Sequence, residues 1–503
     1  MRLLPLAAIA LVALPAAAQE VPTQTLRIAL AEDTDILDPS LARTYTGRIV
    51  FAGLCDKLLD INDKLDVVPQ LATGYEWADS RTLVLHLRAG VKFHDGTMMD
   101  AAAVKYSLDR HLNMPGSTRR AEIGAMDHAE IADPLTVRVV LKNPSAPFVS
   151  QLTDRAGMIV SPKAAEAAGK NFGNAPVCAG PFSFTERVAQ DRFVLDRFAD
   201  YWNAPAIHFA RVVYRPIVDN SVRLTNLQAG AIEMGERIAA TDVPQARQDK
   251  RLAVFVYPGL GYQSINFNLA NGARANTPMG RSALVRQAFE AAIDREVLMQ
   301  VVYNGLFPPV AQGLSPGSPF YNPNVKPLPR DLARAKALLK QAGVTLPVPV
   351  TLTVTTNPDQ KQTGEMIQSM AAEAGFEVTV QATEFATALA AQSRGDYEAS
   401  AIGWSGRADP DGNLYNSLHS KGALNETRYN NPDVDVWLDA ARATTDTGAR
   451  KALYAKITAQ VHADLPIMYL DSNPWIVATS AKLSGFVPVP DGIIRLQGMR
   501  LER

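Results

Sequence analysis

Between Val348 and Trp404 the chain reads as five short elements in strict alternation. "VPVTLTVTT" has the β-branched composition of a strand, and "DQKQTGEMIQSMAAEAG" reads as a helix. "FEVTVQAT" is again a strand, "FATALAAQSRG" a helix and "YEASAIGW" a strand. Parallel strands need a crossover between them, and a helix that covers the sheet is the usual one, so this run predicts β-α-β-α-β. Ligands of open α/β sheets bind beyond the carboxyl ends of the strands. The loop after Trp404 is therefore the first place to look for a site.

The flanking segments extend the α/β reading. "SALVRQAFEAAIDREVLMQVVYNG" places Val285, Phe289, Ile293, Leu298 and Val302 near helical spacing, predicting one helix that stops at Gly305. "RDLARAKALLKQAG" predicts another, with Asp331 capping its start and Gly343 its end. The Pro- and Gly-rich segment 304–330 is studded with aromatics and is expected to be an ordered surface loop. Residues 25–200 differ in texture: Leu26, Ile28 and Leu30 alternate, as do Leu83, Leu85 and Leu87, so this part is expected to be β-rich. With 503 residues the chain is too long for a single core, and two or more domains are expected. Its 50 basic and 51 acidic residues nearly balance, which argues against a nucleic-acid partner.

The loop in question is "GWSGRADPDGNLYNSL", Gly403 to Leu418. Asp409, Asp411 and Asn413 alternate like the start of a calcium loop, but Leu414 and Ser420 stand where a glycine and a bidentate glutamate are needed. No metal is expected. A catalytic acid pair would need partners, and the chain has neither H-E-x-x-H nor a Walker loop, with its seven histidines scattered. His94, in the turn "KFHDGT", reads as structural. What remains is a pocket that reads charge. A partly buried carboxylate binds an ammonium group strongly, Arg407 can meet a carboxylate, and Trp404 and Tyr415 can wall the apolar parts of a ligand.

The N-terminus carries an export signal: Arg2, an apolar run from Leu3 to Leu14, and an A-x-A cleavage pattern ending at Ala18. That run is short for a membrane span of about 20 residues. Export permits disulfides, and the chain has two cysteines, Cys55 and Cys178. A bridge between them is favoured over two separate buried thiols.

"LRAGVKFHDGTMMDAAAVKYSLDR" (Leu87–Arg110) resembles the signature of the family 5 extracellular solute-binding proteins, the peptide-, nickel- and oligosaccharide-binding receptors of ABC importers. "LDPSLARTYTGRIVFAGLCDKL", whose Tyr45 is expected to be a ligand contact, "VVPQLATGYEW", "CAGPFSFTERVAQDRFVLDRFADYW", "VRQAFEAAIDRE" and "LPIMYL" are similar to further landmarks of that family, in the same order. The resemblance implies a two-lobed periplasmic-binding-protein fold with a hinge and an extra β-rich subdomain in the first lobe. It places the signal peptide at 1–18, lobe I at 19–265 with its subdomain at roughly 60–180, lobe II at 266–474, and a return to lobe I at 475–503. The chain is expected to cross between lobes near Gly261–Ala270 and Tyr469–Ser480. By similarity to dipeptide-binding relatives, Asp409 or Asp411 takes the ligand's ammonium group. Those relatives bind the ligand carboxylate with an arginine at the start of a second-lobe helix. "NPDQKQTGEMIQ" has none there, leaving Lys361 or Arg407 for that role.

The resemblance implies a periplasmic, monomeric receptor, not an enzyme, without a cofactor, that hands a short peptide or amino-acid-derived zwitterion to an ABC permease. A sugar or opine-like conjugate is the alternative ligand, in which stacking on Trp404, Tyr262 and Tyr415 outweighs charge. An exported peptide hydrolase is the alternative of a different kind, and it would need a nucleophile with a base or a metal.

Overall fold

The computed structural model describes residues 24–502. The signal-peptide reading, 1–18, lies outside the described residues. Among the described residues no helix is long and apolar enough to cross a membrane.

A ten-stranded sheet runs through the molecule. At one end Val348–Thr355 pairs in parallel with both Phe376–Thr383 and Ala399–Trp404, as the alternation predicts. At the other end Thr25–Leu30 pairs in parallel with Arg211–Pro216 and Met234–Gly235, and Arg192–Arg197 and Phe182–Val188 complete the edge. Two long antiparallel strands join the halves: Leu252–Phe267 and Ile467–Ser480. Their register breaks between Tyr257 and Gly261, opposite Asn473 and Pro474. The break contains Pro258, Gly259 and Gly261, and a Cβ on either glycine would lie 2.0 Å from a backbone oxygen, of Asn473 and Trp404 respectively. Only glycine lets the strands approach this closely at the register break.

A separate four-stranded sheet, Ala72–Asp79, Thr82–Leu87, Thr136–Leu141 and Met126–Asp133, forms the β-rich subdomain. It has its own core, in which Leu83, Leu85, Val137 and Val139 are fully buried. Helix Ala101–Asn113, capped by Asp100, contacts it. The Cys55–Cys178 disulfide, with Cα atoms 4.9 Å apart, lies in the neighbouring core of the first half, with Phe51 and Phe182. His94 donates its backbone N–H to the Cys178 carbonyl, and its ring contacts the Gly180 carbonyl at 3.1 Å. Burial lowers the His94 imidazole to about 4, so the ring is neutral and structural.

Two local readings need correction. The segment 282–305 is two helices, Ala283–Ala292 and Arg295–Tyr303, because Asp294 turns out of the first and caps the second by accepting from Val297 N–H at 3.0 Å. The loop 304–330 is ordered but not superficial: Val310 and Leu314 are buried, and Gln312 donates to the Asn322 carbonyl at 2.7 Å. A G-x-S-x-G string, Gly313 to Gly317, lies within this loop and lacks the strand-to-helix turn that nucleophile motifs require.

Candidate ligand-binding cleft

The two halves enclose a cavity of about 190 Å³. The crossing strands form its back, presenting Tyr262, Gln263, Ser264 and Asn266 from one and Asn473 and Trp475 from the other. The second half contributes the strand end at Trp404 and Ser405, and Asn413 and Asn416 of helix Asp411–Leu418. It also contributes the first turn of Pro358–Ala372, with Asp359 and Gln360. The first half contributes Glu32, Tyr45 and Arg237, with Arg119, Glu122 and Arg155.

Three of the expected residues are at the cavity. Trp404 lines it, fixed by its indole N–H donating to Asn413 Oδ1 at 3.0 Å. Tyr262 lines it and packs edge-on against Tyr469, with ring centroids 4.8 Å apart. Tyr45 lines it, stacked on Trp475 at 4.5 Å, and its hydroxyl donates to the Gly492 carbonyl.

The other expected residues are turned elsewhere. Asp409 is held by Arg450 through both oxygens, at 2.8 and 3.0 Å. Asp411 is held the same way by Arg442, at 2.6 and 2.9 Å, and burial still raises its carboxyl above the usual value. Neither acid lines the cavity. A carboxylate already saturated by a guanidinium has little left for a ligand ammonium group. Arg407 is likewise engaged, with Asp154 at 2.6 Å across the cleft. Tyr415 stacks on His419 and donates to Asp439 at 2.9 Å. Lys361 is exposed and outside the cavity.

The charges that do face the cavity were not singled out in the sequence. Arg237 has a left-handed backbone, φ 49°, a conformation uncommon for a residue with a side chain. Arg223 donates to the Arg237 carbonyl, and Ile238 N–H donates to Ile476 at 3.0 Å, which hold the turn. The Arg237 guanidinium lies 4.7 Å over the Tyr45 ring, donates to Glu32 at 3.0 Å, and keeps 27% of its side chain open. Its Nε lies 3.2 Å from Glu236 Oε2, so the guanidinium sits between two carboxylates of its own half. Opposite in the fold, Asp359 sits in the first turn of its helix, where negative charge is favoured. Asn220 donates to it at 2.6 Å, and burial raises its carboxyl. Arg43 bridges the lobes to Glu426 at 2.8 Å and Ser393 at 2.6 Å.

Residues 66–425 match the family described as bacterial extracellular solute-binding proteins, family 5. The chain belongs to that family. This family 5 protein is 30% identical over 483 residues, 93% of each chain, to the glutathione-binding protein GsiB of Pectobacterium atrosepticum. It superposes with a TM-score of 0.87 on the ABC transporter-associated periplasmic binding protein DppA of Helicobacter pylori in complex with the peptide STSA. The two are 27% identical over 96% of this chain and 99% of that one. A TM-score of 0.86 relates it to AgaA of A. tumefaciens R10 in complex with agropinic acid, at 26% identity over 95% and 99% of the two chains. The two-lobed binding-protein fold with its β-rich subdomain is thus that of the family, as is service as a solute-binding protein of ABC importers.

Proposed function

We propose that this family 5 receptor works in the periplasm as a monomer, captures a short peptide or amino-acid-derived zwitterion, and delivers it to an ABC permease. The observation that carries this reading is the placement of opposite charges on the two halves of one cavity. Arg237 on the first half presents a partly open guanidinium to a carboxylate, and Asp359 on the second presents a carboxylate for an ammonium group. A solute that spans them stabilises the closed form by its differential affinity for that form, and lobe closure follows as a population shift. The glutathione-binding and peptide-bound relatives support the same chemical class. The Asp409 and Asp411 pairs belong to the framework on this reading, and Trp404, Tyr262 and Tyr45 wall the apolar part of the ligand.

Calorimetric titration with glutathione and with tri-alanine tests it. Arg237→Ala and Asp359→Asn should each weaken binding by about tenfold or more, the worth of a charge-assisted hydrogen bond. Unchanged affinity in both variants would overturn the assignment.

A further inference from the structure

The floor of the cleft carries positive charge that the described residues do not neutralise. Arg48, Arg119, Arg155 and Arg407 gather there around only two carboxylates, Asp154 and Glu122. Glu122 takes Arg119 at 2.6 Å. Asp154 is shared by Arg407 at 2.6 Å, Arg48 at 3.2 Å and, more distantly, Arg155 at 3.8 Å. These side chains are almost completely buried, Arg119 and Arg155 at 3% and 2% exposure. Burial, with the nearby Arg119 charge, holds the Arg155 guanidinium well below the usual arginine range. The Ala42 carbonyl accepts from both Arg119 and Arg155, but a carbonyl supplies only a partial charge. Buried ions without full compensation cost several kcal/mol each.

Arg119 and Arg155 are also the members of this cluster that line the cavity, together with Glu122. The Nε–H of each has no hydrogen-bond partner among the described residues. Arg237 belongs to a different group, with Glu32 and Glu236 as its acids. The cavity therefore has two separate groups of arginines, and only the floor group has fewer acids than arginines.

We propose that Arg119 and Arg155 form a second anion subsite, so that the captured solute carries two carboxylates in addition to its ammonium group. This rests on the reading of the cleft as a zwitterion site and narrows it. One carboxylate meets Arg237, and the second replaces the missing counter-charge on the floor. Monocarboxylate peptides leave the floor uncompensated and bind more weakly.

The test uses the mature chain and three probes: glutathione with two carboxylates, its glycyl monoethyl ester with one, and tri-alanine with one. The wild type should bind glutathione about tenfold or more tighter than the ester. Arg119→Gln should erase that difference while leaving the ester's affinity in place, whereas Arg237→Ala should weaken all three. Equal binding of glutathione and ester by the wild type overturns the proposal, as does an Arg119→Gln variant that weakens both alike. Should Arg119→Gln fail to fold, Arg119→Lys keeps the charge without the Nε–H and should likewise lose the discrimination. Succinate, a dicarboxylate without an ammonium group, separates the two readings if no peptide probe binds. A thermal stabilisation by succinate that Arg119→Gln abolishes supports the subsite while the peptide reading falls, and no stabilisation sinks both.

Discussion

Arg442 grips Asp411 through both carboxylate oxygens, at 2.6 and 2.9 Å, and its guanidinium lies 3.2 Å over the Tyr415 ring. The pair also reaches across the cleft. Arg442 donates to the Ala121 carbonyl at 3.1 Å, and Asp411 accepts from Gln151 at 3.2 Å. Helix Asp411–Leu418 is therefore fastened by charge both to its neighbour Pro432–Ala443 and to the opposite lobe.

Breaking this pair from one side should show in stability. Arg442→Met leaves the Asp411 carboxylate buried and unpaired, which should cost about 3–5 kcal/mol in a urea unfolding curve. A loss below about 1 kcal/mol would mean that the pair is dispensable.

The Cys55–Cys178 bond spans 123 residues of sequence. Closing a loop of that length should be worth about 4–5 kcal/mol in the chain-entropy account. The double substitution Cys55→Ser with Cys178→Ser should lose stability on that scale, measured by the same denaturation with and without reductant. Reductant should leave the variant's curve where it is.

Gly261→Ala forces a Cβ to within 2.0 Å of the Trp404 carbonyl at the register break of the crossing strands. Overpacking of this kind should destabilise by about 1–3 kcal/mol. Gly74→Ala is the control, since nothing lies within 4 Å of its added Cβ. It should stay within about 0.5 kcal/mol of the wild type or gain slightly.

Asp471 lies fully buried on the second crossing strand, and neither carboxylate oxygen has a partner among the described residues. Burial raises its carboxyl from 3.8 to about 8. Between those values the folded chain holds a proton that the unfolded chain has released, so this group makes stability fall as pH rises through the window and level off above it. Asp471→Asn removes the titration. The variant's stability relative to wild type should rise by a few kcal/mol from the acid to the alkaline side of the window. A constant difference across unfolding curves at pH 5, 7 and 9 would show that Asp471 titrates normally.

Much of the scaffold was legible because its signals are local. The alternation from Val348 to Trp404 follows from periodicity, and the caps at Asp331 and Gly343 from residue type. The disulfide followed from parity and compartment. The site was less legible. Asp409 and Asp411 look available in the sequence because their partners, Arg450 and Arg442, lie on the next two helices, 41 and 31 residues on, and are brought back only by packing. Arg237 gives no sequence signal. It faces the cavity because its backbone adopts a left-handed turn, held by Arg223 on its carbonyl and by Ile238 N–H on Ile476. Arg119 and Arg155 are apart in sequence and from different elements, and their shared deficit of counter-charge exists only in three dimensions.

Phe267 N–H donates to the Pro466 carbonyl at 3.0 Å, so the chain leaves the first crossing strand and returns to the second at almost the same point. Residues 268–466 thus enter and leave the crossing strands side by side, and their own strand Ala399–Trp404 extends the same edge by pairing with Tyr262–Phe267. An exchange of this stretch for that of a relative would keep both chain crossings in place, provided the contacts of Arg43, Asp154 and Gln151 with it are kept. The exchange would replace the Asp359 wall of the cleft while Arg237 and the arginine floor stay behind, so the two halves of solute recognition are free to diverge independently.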